Sequence, residues 1–324
     1  QTWIMDQPQQ LKLEALEGDQ AGLEAIIGGP PIARNKDVHV MCGHCRFNGS
    51  GNHLDRAWLT WSTATDGFIE IPMSRWDVAL YYSEDTNAAA FGKAGTKHCA
   101  MLDFNDMAGF DNTYFGLTER EAECIVPGQR VLLEVMAETF KIGLNLDKPQ
   151  LAGRPIACSI ADIGPDWSSF ACKDTHEQEW LKVGGIGYSN LSCSRVGWAF
   201  GMTGPMTQVD TACSSALVAA NIIHGLVRKT EKGVTEGIMM SWINFFSPFP
   251  FVGLSAAGML GRLGRCATFN ESANGYNRGE GVGGLIAKCS DSVKDTESRV
   301  ASFLSSFINQ DGRSASLTAP NGPS

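Results

Sequence analysis

Apolar positions along the chain follow two different periods. Between residues 119 and 140, Leu132, Leu133, Val135, Met136 and Phe140 recur at three- to four-residue steps, the spacing of one helical face. Pro127 suits the first turn of that helix, where its missing N–H costs nothing. Residues 214–227 predict a second strong helix. Val38, Val40, Met41 and Cys42 form a short apolar run with little alternation, as expected of a buried strand. Residues 153–162, 206–209, 237–241 and 283–289 read as further strands. Residues 183–192 begin Gly-rich and loop-like, then turn helical. Alternating strands and helices predict a layered α/β domain.

Two stretches resist that pattern. Residues 1–37 read as a lead-in or linker. Leu11, Leu13, Leu16, Leu23 and Ile26 suit a short amphipathic helix, which Gly28-Gly29-Pro30-Pro31 then breaks. A docking helix, a linker helix and an unstructured arm fit it equally. Residues 241–260 are the most apolar window, but they carry Asn244, Pro248 and Pro250. A membrane span needs about 20 mainly apolar residues. Two prolines within three positions predict a loop or pocket wall instead of a span.

Composition narrows the function classes. With 324 residues and 43% hydrophobic content, a sizeable core is available. The net charge of −9 argues against nucleic acid or anionic membrane as a partner. The chain is too long to be a disulfide miniprotein, so its 10 cysteines read as mostly buried, reduced thiols. Cys42-Gly-His-Cys45 invites a metal reading, but no second ligand pair follows at zinc-site spacing, and no metal is expected. The polar first ten residues hold no cleavable signal. The expected location is the cytoplasm or an organelle lumen, a plastid included, and not the exterior. Gln1 in place of an initiator methionine predicts a start that is processed or lies upstream.

The chemistry concentrates in residues 207–220. A strand ends at Asp210, the small residues Thr211 and Ala212 turn sharply, and a helix begins at or just after Cys213, with Ser214 and Ser215 available as caps. The layout is that of a nucleophile elbow. A thiol at the positive end of a helix dipole is favoured as thiolate, and free backbone N–H groups there suit a developing oxyanion. A buried structural cysteine at a helix start fits the same spacing, and the residues alone leave both readings open.

The segment Asp210-Thr-Ala-Cys213-Ser-Ser resembles the active-site signature of ketosynthase (β-ketoacyl synthase) domains of type I polyketide synthases and multidomain fatty-acid synthases. Further blocks resemble the same family in the same order. They are Cys45-Arg46-Phe47, Arg75-Trp76-Asp77-Val78, Tyr114-Phe115-Gly116-Leu117, Pro127-Gly128-Gln129-Arg130, Ala257-Gly258-Met259-Leu260, Arg278-Gly279-Glu280-Gly281 and the run from Asn309 to Gly322. The resemblance spans residues 38–324. Val126 and Gly128 stand where the family's helix-start motif carries an acidic residue and a Gln. Asn270 and Asn274 replace aspartates, and Ala216 replaces a frequent Ser.

The resemblance implies a thiolase-like α-β-α-β-α layered fold, present here as its N-terminal half and the start of the second. It implies an acyltransferase that takes an acyl group onto Cys213 from the phosphopantetheine of an acyl carrier protein. The acyl group then condenses with a decarboxylating malonyl-type thioester. No cofactor is bound in such a reaction, and the family pairs as homodimers. Phe249 and Phe251 are candidate acyl-tunnel residues, with core packing as the alternative. The family's two catalytic histidines lie beyond the last motif seen here. Of the histidines present, His39, His44, His53, His98, His176 and His224, none follows the nucleophile helix. His224 sits eleven residues along that helix, roughly 16 Å from Cys213 at 1.5 Å per residue. Residues 38–324 therefore read as a truncated ketosynthase domain in which condensation by this chain alone is not expected. The alternative is a truncated or non-condensing scaffold or partner subunit of a polyketide synthase.

Overall fold

The computed structural model describes residues 37–163, 167, 191–229, 233–316 and 321. The proposed lead-in helix and the Gly-rich run before residue 191 lie outside the described residues.

Eight strands are described: β1 (Asp37–Phe47), β2 (Ile69–Glu70), β3 (His98–Cys99), β4 (Ala157–Ala161), β5 (Met206–Val209), β6 (Glu236–Ile243), β7 (Gly281–Ser290) and β8 (Ala301–Ser302). β2 and β3 pair separately, and the other six make one sheet in the order β5-β4-β6-β7-β1-β8. β4 runs parallel to both β5 and β6, whereas β7 is antiparallel to β6 and β1. The sheet's centre is buried on both faces, which is why Ala157–Ala161 lacks alternation.

Five helices matter for the site: α1 (Leu54–Ser62), α2 (Pro127–Leu144), α3 (Ser192–Phe200), α4 (Ser215–Arg228) and α5 (Phe249–Ala256). α2 and α4 cover opposite faces. The buried row Leu132, Val135, Met136 and Phe140 of α2 packs with Ile160, Ile238, Met240 and Ile286 of the sheet. On the other face, Ala219, Ala220, Ile223 and Val227 of α4 meet Val38, Met239 and Ala287. α2 begins with Pro127 in its first turn, as its sequence predicts, and ends at Asn145 in a left-handed conformation with φ 53. A third cluster joins Trp76, Phe245, Phe251 and Leu260 beside the strand ends.

The apolar window 241–260 supplies pocket wall at residues 241–243, but its later part is not the expected loop. Its first part completes β6, and Phe249–Ala256 is a helix instead of a loop. Pro248 is its N-cap and Pro250 falls in the first turn, where neither proline needs an N–H. No helix among the described residues is long and apolar enough to cross a membrane.

Candidate active site

The parallel strands β4, β5 and β6 end along one edge of the sheet, the usual place for a ligand crevice in such sheets. β5 stops at Val209, and a single 3-10 turn, Ala212–Ser214, carries the chain into α4. Side-chain bonds set the shape of that turn. Asp210 Oδ1 accepts from the Ala212 N–H at 3.1 Å. Ser215 Oγ accepts from the Thr211 N–H at 2.7 Å and donates to the Ala212 carbonyl at 2.7 Å. Ser214 Oγ turns back to the Thr211 carbonyl at 2.8 Å, so it makes no cap bond to the helix, contrary to its expected role. Ser215 ties the turn closed and likewise does not cap. Ala212 holds φ at 55°, a left-handed conformation that costs a residue with a Cβ about 1–2 kcal/mol. This strain falls next to the nucleophile candidate. Cys213 itself is exposed.

Cys213 opens into a cleft of about 430 Å³. Residues 161–163 at and beyond the end of β4, 241–243 at the end of β6, and 278–281 at the start of β7 form its walls, with Phe47 from the end of β1. Of the elbow residues singled out in the sequence, Ala212, Cys213 and Ser215 line this cleft, whereas Asp210, Thr211 and Ser214 do not. Sequence reading does not single out Trp242, Asp162 or Glu280, which come from distant segments.

The wall facing the elbow is fixed by a buried ion pair. Arg75 forks onto Glu280 at 3.0 and 2.9 Å, with side chains 4% and 0% exposed. The Glu280 carboxylate also accepts from the backbone N–H groups of Phe245 at 2.8 Å and Leu102 at 2.9 Å. Burial pushes the Glu280 carboxyl up, while Arg75 and the two N–H groups pull against that shift. Asp162 belongs to a second buried network. It accepts from Ser192 Oγ at 2.7 Å, Ser192 accepts from Gln129 Nε2 at 2.8 Å, and Gln129 accepts from Arg195 at 3.1 Å. Burial lowers the Arg195 guanidinium to about 10.

The remaining candidates stand elsewhere. Phe249 is 67% exposed, and Phe251 is buried against Trp76 and Phe245; neither lines the cleft. His224 stacks on Phe303 with centroids 4.4 Å apart and meets Ser306 Oγ at 2.9 Å, away from the cleft. No described histidine lines the cleft. Cys42 and Cys45 donate to the carbonyls of Gly43 and Gly51, while His44 pairs with Glu138 at 2.8 Å. Among the described residues, no three His, Cys, Asp or Glu side chains gather as a metal site requires. Burial raises the Cys45 and Cys193 thiols to about 11 and pushes Cys99 and Cys158 higher. These thiols are held in the unreactive neutral form.

Comparison with known proteins agrees with this geometry. A model of the beta-ketoacyl synthase N-terminal domain matches residues 35–291. A phenolphthiocerol/phthiocerol polyketide synthase of Mycobacterium tuberculosis is 32% identical over 90% of this chain, which covers 18% of that protein. Polyketide synthase GfsB of Streptomyces halstedii is 33% identical over 100% of this chain, which covers 6% of it. The chain thus spans less than a fifth of either relative. In fold it is similar to the ketosynthase from module 6 of the bacillaene synthase of Bacillus subtilis 168. The TM-score is 0.72 at 24% identity, covering 88% of this chain and 46% of that one. The layered sheet is therefore thiolase-like, and the chain belongs to the β-ketoacyl synthase family, matched through that family's N-terminal domain.

Proposed function

We propose that this chain supplies the acyl-accepting part of a β-ketoacyl-[acyl-carrier-protein] synthase. The observation that carries the reading is the exposed Cys213 on a strained strand–turn–helix elbow, opening into a cleft at the ends of the parallel strands. Cys213 Sγ attacks the carbonyl carbon of an acyl thioester on the phosphopantetheine of an acyl carrier protein. A carbon–sulfur bond forms to Cys213 and the bond to pantetheine breaks, with the cysteine's proton passing to the departing thiolate. The Cys213 N–H enters none of the turn bonds described above, and we assign it as one donor to the oxyanion. In the second half-reaction a malonyl-type thioester loses carbon dioxide. Its carbanion attacks the acyl carbon and expels the Cys213 thiolate, leaving a β-ketoacyl thioester. Substrates arrive on the carrier, so this chemistry uses no bound cofactor. The acyl carrier protein is the proposed macromolecular partner, and a homodimer is the proposed assembly.

The described residues favour a split of labour. No described histidine lines the cleft, so groups outside these residues handle the decarboxylation. The same observation supports the second reading, a non-condensing scaffold or partner subunit. One experiment tests both. The full chain is incubated with an acyl-pantetheine thioester and its intact mass is followed. An acyl adduct on the native chain, absent from Cys213→Ala, is the expected result; equal adducts on both chains defeat it. Adding a malonyl-loaded carrier then separates the readings. A β-ketoacyl product marks condensation, and a stable acyl-enzyme marks the scaffold.

A further inference from the structure

Side chains on β6 alternate between the two helical layers. A Cβ placed on Gly237 would meet Ile223 and Val227 of α4, and Met239 packs in that same cluster. Ile238, Met240 and Trp242 point the other way, toward α2. Trp242 ends this row and stands over the first turn of α2. A Cβ built on Gly128 would lie 2.4 Å from Trp242 Cε3 and 2.6 Å from Cζ3, closer than real Cβ contacts come. The six-membered ring of the indole therefore rests on bare helix backbone, and only glycine leaves it that seat. Gly128 is the position where the family's helix-start motif carries Gln, so the departure noted in the sequence has a physical counterpart in the bulk of Trp242. Trp242 is 5% exposed and is also one of the residues that line the Cys213 cleft. It has the largest side chain on that wall.

We infer that Trp242, seated on Gly128, sets the length of the acyl group that Cys213 accepts and selects short acyl thioesters. The inference rests on the reading of Cys213 as acyl acceptor. The helix backbone beneath the ring cannot yield, so anything that lifts the indole moves it off its seat and into the space beside it. Truncating the ring enlarges the cleft. A hydrophobic pocket discriminates by about tenfold or more for each unit of chain it excludes.

The test measures Cys213 acylation of the full chain by intact mass, with acetyl and octanoyl thioesters of N-acetylcysteamine at equal concentration. Trp242→Ala raises the octanoyl-to-acetyl rate ratio by about tenfold. Trp242→Phe raises it less, and carries the test should the alanine variant not fold. Gly128→Ala lowers the ratio, and Gly128→Ala with Trp242→Phe restores it, a rescue that general loss of packing would not give. An unchanged ratio in both Trp242 variants, with Cys213 still acetylated, overturns the inference and leaves the acyl-acceptor reading intact. So does a Gly128→Ala change in the same direction as Trp242→Ala. If no thioester acylates the native chain while iodoacetamide still alkylates Cys213, the acyl-acceptor reading falls and this inference falls with it.

Discussion

The two walls of the cleft are built on opposite terms. The elbow wall is made of small residues, with an exposed thiol, a left-handed Ala212 and short-range bonds spanning at most four residues. The facing wall carries the buried Trp242 and Glu280, and the bond behind it joins Arg75 to Glu280 across 205 positions. On the elbow, strain and access coexist next to the reacting atom. On the far wall, both oxygens of Glu280 are held by two partners each. The contrast shows where rigidity comes from at this site. Local bonds shape the nucleophile turn, but a long-range ion pair holds the surface it faces.

The largest expected effect breaks the rigid wall. Arg75→Met leaves the Glu280 carboxylate buried without its counter-charge, and removing one partner of a buried pair typically costs about 3–5 kcal/mol. Urea unfolding should show that loss. In Arg75→Met with Glu280→Gln, the charge is gone and one side-chain oxygen still accepts from backbone, so part of the stability returns. A single variant as stable as the native chain would mean the pair contributes little and the wall is held by packing alone.

A smaller effect is expected on the elbow. Ser215→Ala removes the acceptor for the Thr211 N–H and the donor to the Ala212 carbonyl. Leaving a part-buried N–H unpaired costs roughly 1–3 kcal/mol. Unfolding should register a loss nearer the lower end, because neighbouring Ser214 still bonds Thr211. Its clearer mark is on the turn itself. The rate of Cys213 alkylation by iodoacetamide should change in Ser215→Ala and hold steady in Arg75→Met at low denaturant. Matching shifts in both variants would dissolve the distinction between the walls.

What the sequence makes legible follows the same division. Local features are readable: the period of α2, the Pro127 start, the strand–turn–helix around Cys213. Each depends on residues a few positions apart. The far wall is not readable this way. Phe47, Asp162, Trp242 and Glu280 meet only because β1, β4, β6 and β7 end on one edge of a sheet whose order is not the chain order. Arg75 and Glu280 each fall within family-like blocks, yet no local pattern links them. α5 shows a different failure. Its two prolines read as breakers, and they sit where a helix tolerates them. The Ser214 cap fails because its hydroxyl finds the nearer Thr211 carbonyl and hydroxyl.

The two ends of α4 give the smallest and most selective prediction. The 3-10 turn that leads into it carries the exposed thiol, whereas its own third turn carries His224, buried against Phe303 and bonded to Ser306. Burial lowers the His224 proton affinity, and nearby Arg228 adds to the shift. The folded value therefore lies below the unfolded one of about 6.5. The unfolded chain then binds the proton more readily, so this stabilising contribution is complete above the unfolded value. It is lost as pH falls from there through the lowered folded value. His224→Gln keeps a polar contact to Ser306 but cannot titrate. Melting temperatures between pH 8 and pH 5 should fall less steeply for the variant than for the native chain. Iodoacetamide labelling of Cys213 should follow the same pH course in both. Parallel melting curves would remove His224 from the acid sensitivity of the fold. A changed labelling course would show that the far end of α4 reaches the elbow, which the separation of roughly 16 Å along the helix argues against.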